Sequence, residues 1–340
     1  MKEANQEINR RRFLNQGALG VGALAAGGAA LVAAPAEKSV NPFAYDVTRF
    51  ALTDPRLIHY ELVSRFPSRL TEPRRIAVGP EGQVYLAGKT GVGVFDRQGS
   101  LVAEMPLTAP ARCLAVSRDG TLYVGLKDHV EVFDKKGQRT ATWEAPEKNA
   151  WLTGLCVGEK DLFAADSGHR LIWRYDRSGK LLGRLGEKSK EHSVPGLIVP
   201  SPYLDVDLGP DGLLRVNNPG RHCVEVYTLS GELELSWGKP SAAIEGFCGC
   251  CNPISLACLP DGRWVTCEKG LPRVKVYAAD GTFDCVVAGP ESFPENAKPG
   301  SARDLSDGSM GGLDAAADSQ GQIYILDLVA ADVRVMKRKA

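Results

Sequence analysis

The sequence has no excess of charge of either sign and, beyond its first 36 residues, no long apolar run. Its 340 residues include 41 Lys and Arg against 41 Asp and Glu. Because binding to a phosphate backbone depends on excess positive charge, this balance argues against a nucleic acid partner. The sequence also lacks a phosphate-binding loop, a dinucleotide fingerprint and a Ser-His-Asp order. With 44% hydrophobic and 24% charged residues, the composition is that of a globular protein.

Residues 1–36 look like a twin-arginine export signal. Arg10-Arg11-Arg12-Phe13-Leu14 precedes an apolar run rich in Gly and Ala, and Ala34-Pro35-Ala36 forms a small-x-small cleavage pattern. The run is too short and too rich in glycine for a membrane anchor. We therefore expect a signal peptide over 1–36 and a linker over 37–56. The mature protein, with 37 basic and 39 acidic residues, should be periplasmic or exported, without a stable membrane span.

One pattern recurs six times after about residue 70. Ile76–Leu86 and Leu114–Val124 each alternate apolar and polar residues on both sides of a turn that closes on glycine. Further copies begin at Val206, Leu256 and Ala316, and a degenerate copy spans Leu155 to Ala165. Each copy predicts two antiparallel strands joined by a tight turn. A third strand follows every copy and a fourth follows five of them, which predicts an all-β, six-bladed β-propeller over 57–340.

The sixth copy ends at Lys337-Arg338-Lys339-Ala340, before any fourth strand. Near the mature start, Leu57–Phe66 is an extended segment with no repeat of its own. An unpaired sheet edge exposes a row of backbone donors and acceptors. We therefore expect residues 57–70 to supply the missing outer strand and close the last blade.

Two fragments carry a family resemblance. Ala165–Ile172 and Asn218–Val224 are similar to the joint between the second and third strands of NHL-repeat six-bladed propellers. That family includes sensors, scaffolds and an enzyme, the peptidyl-α-hydroxyglycine α-amidating lyase, whose zinc is held by histidines near the central axis. A full set of those histidines does not map onto this chain. The resemblance therefore implies the fold and leaves the activity open.

The long insertions fall on one face of such a propeller. They are Glu187–Ser201, Lys239–Asn252 and Pro290–Gly311, and each connects two consecutive blades. Functional residues are often carried on loops of this kind. The middle insertion contains a run of three cysteines in four positions, and the register brings further polar residues to the same mouth. The predicted metal ligands are Cys248, Cys250, Cys251, Cys267, His222 and His169, and the predicted ligand-binding residues are Arg221, Glu268 and Arg273.

The chemistry of this mouth stays open between two hypotheses. Thiolates with imidazoles suit zinc, copper or an iron–sulfur cluster, although C-x-C-C matches no standard pattern for these groups. The first hypothesis is a metal or redox site that serves an enzyme or an electron-transfer partner. The second is a non-catalytic module that binds an envelope protein or a small-molecule ligand, with structural disulfides.

Adjacent α-carbons lie about 3.8 Å apart, short of the roughly 4.4–6.8 Å of a relaxed disulfide, so a disulfide bond between neighbouring cysteines of the triplet would be strained. Glu268 and Asp166 also have a simpler role, the capping of backbone amides.

Overall fold

The structure, a computed structural model, describes residues 48–297 and 311–340. Within these ranges the chain forms six four-stranded antiparallel sheets. The first strands of the sheets contact one another in a closed cycle, so the sheets stand around a central channel. The prediction of an all-β, six-bladed propeller is confirmed. The predicted signal peptide and most of the predicted linker lie outside the described residues.

The strands are numbered in chain order, and the first of them belongs to the last sheet. Sheet 1 contains β2 (Arg75–Val78), β3 (Val84–Ala87), β4 (Gly91–Phe95) and β5 (Leu101–Pro106). Sheet 2 contains β6 (Cys113–Val116), β7 (Leu122–Gly125), β8 (His129–Phe133) and β9 (Arg139–Glu144). Sheet 3 contains β10 (Leu152–Val157), β11 (Asp161–Asp166), β12 (Leu171–Asp176) and β13 (Leu181–Leu185).

The second half of the ring repeats the arrangement. Sheet 4 contains β14 (Val206–Leu208), β15 (Leu214–Asn218), β16 (Cys223–Tyr227) and β17 (Leu233–Trp237). Sheet 5 contains β18 (Ser255–Cys258), β19 (Trp264–Cys267), β20 (Val274–Tyr277) and β21 (Phe283–Ala288). Sheet 6 contains β22 (Leu313–Ala317), β23 (Ile323–Asp327), β24 (Asp332–Arg338) and β1 (Tyr60–Pro67).

The N-terminal strand completes the last sheet. β1 pairs antiparallel with β24, with Tyr60 opposite Arg338 and Phe66 opposite Val333. Chain segments from the two ends of the described region therefore share one sheet, and the outer edge of β24 is paired. Short helical segments are Thr48–Phe50, Pro55–Leu57, Pro290–Ser292 and Pro294–Ala297.

Large aromatic side chains fill the seams between neighbouring sheets. Trp143, on the outer strand of sheet 2, packs against Tyr175 of sheet 3 with ring centroids 5.9 Å apart. It covers the turn glycine Gly179, where an added Cβ would lie 2.5 Å from the indole nitrogen. The backbone of this glycine also has a φ angle of 91°, a conformation that other residues rarely adopt. At Gly179, therefore, the packing between sheets, as well as the turn, excludes a side chain.

The long connections lie where the sequence predicts them. Residues 186–205, 238–254 and 289–312 join consecutive sheets in the second half of the ring, whereas the connections 107–112 and 145–151 in the first half are short. All of them leave an outer strand and enter an inner strand, so their ends lie on the same face of the ring. This face is called the elaborated mouth below.

Candidate functional site

A buried cluster of charges holds the cysteine-bearing loop against sheet 5. The Glu268 carboxylate accepts hydrogen bonds from Arg273 Nε at 2.8 Å and from Arg273 Nη2 at 2.7 Å, and Lys275 Nζ lies 2.9 Å from Glu268 Oε1. All three side chains are almost completely buried. Arg273 binds the carboxylate through two hydrogen bonds, and Lys275 adds a second positive charge. Buried charges need partners and good hydrogen-bond geometry of this kind to offset the cost of leaving water.

The same cluster reaches the backbone of the loop. Lys275 Nζ donates to the carbonyl oxygen of Gly246 at 2.6 Å, and Arg273 Nη1 donates to that of Ala242 at 2.9 Å. The Cys248 amide donates to Glu268 Oε2 at 3.0 Å. Glu268 therefore performs the capping role that the sequence left open. Their hydrogen bonds place Glu268 and Arg273 beneath the loop, where they position the thiols.

In sheets 3, 4 and 6, as in sheet 5, a polar side chain at the end of the second strand accepts a hydrogen bond from the preceding connection. Asp166 Oδ1 accepts from the Trp151 amide at 2.8 Å. Asn218 Oδ1 accepts from the Ile198 amide at 3.0 Å, and Asp327 Oδ1 accepts from Asn296 Nδ2 at 2.8 Å. In each case a short polar side chain holds the connection that enters its own sheet. The polar residue at this repeat position anchors the elaborated loops.

Two adjacent thiols stand out on the loop. Cys250 Sγ lies 3.3 Å from Cys251 Sγ, with Cys250 exposed and Cys251 only 2% exposed. Lys269 Nζ stands beside them, 3.5 Å from Ser201 Oγ and 4.1 Å from the centroid of the Tyr203 ring. The Lys269 amide also donates to Asn252 Oδ1 at 2.9 Å, which fixes the lysine next to the thiol pair.

The surroundings shift the pKa values of the two thiols in opposite directions. Burial alone would raise the pKa of Cys251, but hydrogen bonding to Ser201, the charge of Lys269 and the hydrogen bond with Cys250 together lower this pKa. The hydrogen bond with Cys251 and burial raise the pKa of Cys250. Because the thiolate is the reactive form, the lowered pKa makes Cys251 the candidate nucleophile of the pair.

The other predicted ligands do not converge with this pair. His222 Nε2 lies 2.5 Å from the carbonyl oxygen of Gly249, so its ring contacts the cysteine loop through the backbone. His169 Nδ1 lies 2.7 Å from Asp166 Oδ2 on sheet 3, and Cys267 is buried in the core shared by sheets 5 and 6. Arg221 is exposed in the turn beside His222. Within the described ranges, no three of the six predicted ligands have ligand atoms within 4.8 Å of one another.

The structural disulfides of the second hypothesis are absent. All nine cysteines lie within the described residues, and all nine are free thiols. Cys267, which the sequence groups with the triplet, is buried among apolar side chains, and burial raises its pKa. The long loops are therefore held by the buried ion cluster and by the polar anchors described above. The expectation that disulfides staple them is corrected.

A single arginine crosses the central channel beneath the mouth. Arg75 Nη1 lies 3.0 Å from Asp205 Oδ2 of sheet 4 and 2.9 Å from Asp314 Oδ1 of sheet 6, and its Nε donates to the Thr153 carbonyl oxygen at 3.0 Å. Four of the six sheets thus meet at one guanidinium. An added Cβ at Gly154 would lie 2.4 Å from Asp205 Oδ1, so the glycine leaves space for this contact. Below it lies a cavity of about 190 Å³ lined by the inner strands.

The sequence contained a signal for this contact that went unused. When the repeats are aligned on their turn glycines Gly82, Gly212 and Gly321, the residues Arg75, Asp205 and Asp314 occupy the same repeat position. Opposite charges at one repeat position must face a common axis once the ring closes. Both carboxylates also bind neighbouring strands. Asp314 Oδ2 accepts from the Ile76 amide at 2.8 Å. Asp205 Oδ2, the oxygen that faces Arg75, also accepts from the Leu256 amide at 3.0 Å.

Asp205 should make stability depend on pH. Burial raises the pKa of Asp205 to about 7, because desolvation and the nearby Asp314 carboxylate outweigh the attraction of Arg75. An exposed aspartate has a pKa of about 3.9, so between these pH values the folded state binds more protons than the unfolded state. The stabilising contribution is full below pH about 4 and is lost as the pH rises through about 7. Urea titrations should show this decline, and Asp205→Asn should flatten it; an identical slope in the variant would contradict the assignment.

Comparisons with known proteins agree with the fold. No protein-family model and no curated protein matches the chain. A structure of streptogramin B lyase is 16% identical with a TM-score of 0.56, over 82% of this chain and 98% of that one. Selenomethionine-substituted virginiamycin B lyase from Staphylococcus aureus is 16% identical with a TM-score of 0.55, over 82% and 100%. A catalytically inactive form of that lyase with quinupristin is 13% identical with a TM-score of 0.54, over 81% and 83%.

These likenesses define the class of the protein as a six-bladed β-propeller. At such low identities they show the fold alone. The resemblances to NHL repeats, to the amidating lyase and to a twin-arginine signal stay predictions from the sequence. No helix among the described residues is long and apolar enough to span a bilayer.

Proposed function

We propose that this chain is an exported β-propeller whose Cys250–Cys251 pair carries out thiol–disulfide exchange at the elaborated mouth. The observation that carries the proposal is the pair itself: two sulfurs 3.3 Å apart, one of them with a pKa lowered by its surroundings. The exposed Cys250 gives a partner access to the site. The charge cluster at Glu268 keeps the loop, and therefore the pair, in place.

The exchange proceeds in two steps that balance. The Cys251 thiolate attacks one sulfur of a partner disulfide, the partner S–S bond breaks, and a mixed disulfide forms as the first partner thiolate leaves. Cys250 then gives its proton to solvent and attacks Cys251 Sγ, which releases the second partner thiolate. The protein dithiol is oxidised and the partner disulfide is reduced to two thiols. The ring closed by adjacent cysteines is strained, and strained disulfides are the readily reduced ones, so the reverse direction is also accessible.

The second candidate function is the binding of a soft metal ion by the same two thiols. Two sulfurs at this separation suit Zn(II) or Cu(I), and His222 can join them only by releasing the Gly249 carbonyl oxygen. An iron–sulfur cluster needs four protein ligands, more than the pair supplies. Elemental analysis with an absorption spectrum separates the candidates. Stoichiometric metal lost from a Cys250→Ser/Cys251→Ser variant would favour the metal site over exchange.

Lys269→Met is expected to slow alkylation of Cys251. Removing the ammonium takes away the charge that lowers the pKa of Cys251, and each unit of pKa changes the thiolate fraction about tenfold. We expect labelling by iodoacetamide at pH 7, read for each cysteine by mass spectrometry, to fall severalfold. Lys239→Met, at an exposed position of the same insertion, is the matched control. Equal labelling of Cys251 in both variants would contradict the role of Lys269.

The partners follow from the place of the site. The exposed mouth suits a disulfide on an envelope protein or a small-molecule ligand, and similar propellers include one solved with quinupristin. The charge balance disfavours nucleic acid. Fractionation of expressing cells tests the location: recovery in the cytoplasm alone would remove export from the proposal. A chain whose thiols are unreactive but which still binds its partner would be the non-catalytic module of the second hypothesis.

A further inference from the structure

A second group of ligating side chains lies where the N-terminal segment meets sheet 5. The His59 amide donates to the Val286 carbonyl oxygen at 3.1 Å, and the Lys339 amide donates to the His59 carbonyl oxygen at 2.9 Å. Ile58 forms a parallel bridge with Val286. The backbone of His59 is therefore held on both sides just before β1 begins, so its imidazole starts from a defined position.

Three different ligand types converge at this junction. The ligand atoms of His59, Asp284 and Cys285 all lie within 4.8 Å of one another, and Cys285 Sγ is 3.7 Å from Asp284 Oδ2. Zinc bonds of about 2.0–2.3 Å place tetrahedral ligand atoms about 3.3–3.8 Å apart. Small side-chain rotations would therefore close the group on one cation. Cys285 is buried while His59 and Asp284 are half-buried, so the group is open to solvent on one side.

The surroundings orient the carboxylate. Asp284 Oδ2 accepts from Arg263 Nη1 at 2.5 Å and from Arg338 Nη1 at 3.2 Å, and neither bond uses Oδ1. Arg263 is also paired with Asp261, with 2.7 Å between Nη2 and Oδ2, so part of its positive charge is balanced. Ligating carboxylates are commonly held by outer hydrogen bonds of this kind.

We propose that His59, Asp284 and Cys285 form a zinc site with an open fourth position for water. Nitrogen, oxygen and sulfur ligands in one small group favour zinc over magnesium or calcium. The cation would join the N-terminal segment to β21, beside the strand that closes the ring. Because it binds the folded chain only, it would stabilise the closed propeller by mass action.

Cobalt provides the test, because a Co²⁺–thiolate centre absorbs light and zinc does not. Co²⁺ is added to the reduced full-length chain carrying Cys248→Ser, Cys250→Ser and Cys251→Ser, so that the mouth thiols cannot contribute. We expect one equivalent to bind with a thiolate charge-transfer band, and Zn²⁺ to displace it. The band should disappear in Cys285→Ser, and affinity should fall by more than about tenfold in His59→Gln. His129→Gln, on sheet 2, is the matched control and should bind like the parent.

A second readout separates binding from folding defects. Zn²⁺ should raise Tm in the parent and in His129→Gln, and should leave Tm of His59→Gln unchanged. Absence of the cobalt band in the parent would overturn the proposal, and so would a band that His59→Gln leaves intact. Because the background lacks the mouth thiols, failure here says nothing against thiol exchange at Cys251.

Discussion

Arg75→Met is expected to lower the free energy of unfolding by about 3–5 kcal/mol, the cost of removing one partner from a buried ion pair. The methionine fills similar space but leaves the buried carboxylates of Asp205 and Asp314 facing each other without the cation. It also leaves the Thr153 carbonyl oxygen without its donor. Urea denaturation followed by tryptophan fluorescence measures the loss, and the midpoint should fall strongly.

Two further variants separate the charge effect from a simple loss of packing. Arg56→Met removes an arginine whose partner, Asp54, is at the surface, and exposed ion pairs contribute little, so its midpoint should stay near that of the parent. Adding Asp314→Asn to Arg75→Met should recover part of the loss, because one uncompensated charge is removed. A midpoint for Arg75→Met equal to that of Arg56→Met would show that the channel contact does not stabilise the ring.

Glu268→Gln is expected to destabilise the protein by a similar amount, about 3–5 kcal/mol, and to disturb the thiol pair. The amide keeps the shape of the carboxylate but removes the counter-charge of the buried Arg273 and Lys275 side chains. Burial, partly offset by Glu268, already lowers the pKa of Lys275 to about 8. Without the carboxylate this pKa should fall further, and Lys275 should become neutral near pH 7. Denaturation curves measure the stability, and alkylation of Cys250 and Cys251 measures the effect on the loop.

The comparison variant for this prediction is Glu234→Gln. Glu234 is exposed on β17 of the neighbouring sheet, so its substitution changes the net charge equally without opening a buried pair. We expect its denaturation and labelling to match the parent. If Glu268→Gln unfolded at the same urea concentration as Glu234→Gln, the ion cluster would not be what holds the loop.

Much of the architecture could be predicted because strands and turns depend on patterns of neighbouring residues in the sequence. Alternation around turns that close on glycine predicted the strands, and the six copies predicted six sheets. The missing fourth strand of the last copy pointed to Leu57–Phe66 as its replacement, and β1 occupies that place. The lengths of the connections between repeats identified the elaborated mouth and placed Cys248, Cys250 and Cys251 on it. These inferences needed only the order of residues along the chain and the pairing rules of strands.

The site was predictable only in part. The sequence placed the thiols, but it could not show that Glu268 and Arg273 lie under the loop as its support. It gave no sign that His59 lies near Asp284 and Cys285, because these residues are more than two hundred positions away in the chain. It grouped His169 and Cys267 with the triplet because they share a face or a register, yet Cys267 is directed into a core.

The sequence by itself determined the number of sheets, the way the ring closes and the face that carries the loops, because strands, turns and insertions depend on neighbouring residues. Only the tertiary structure decided which charged and sulfur-bearing groups meet. A hydrogen bond or an altered pKa depends on separations of a few ångströms between side chains from different sheets. Those separations are set by the curvature of the closed ring and by how far each side chain reaches across it.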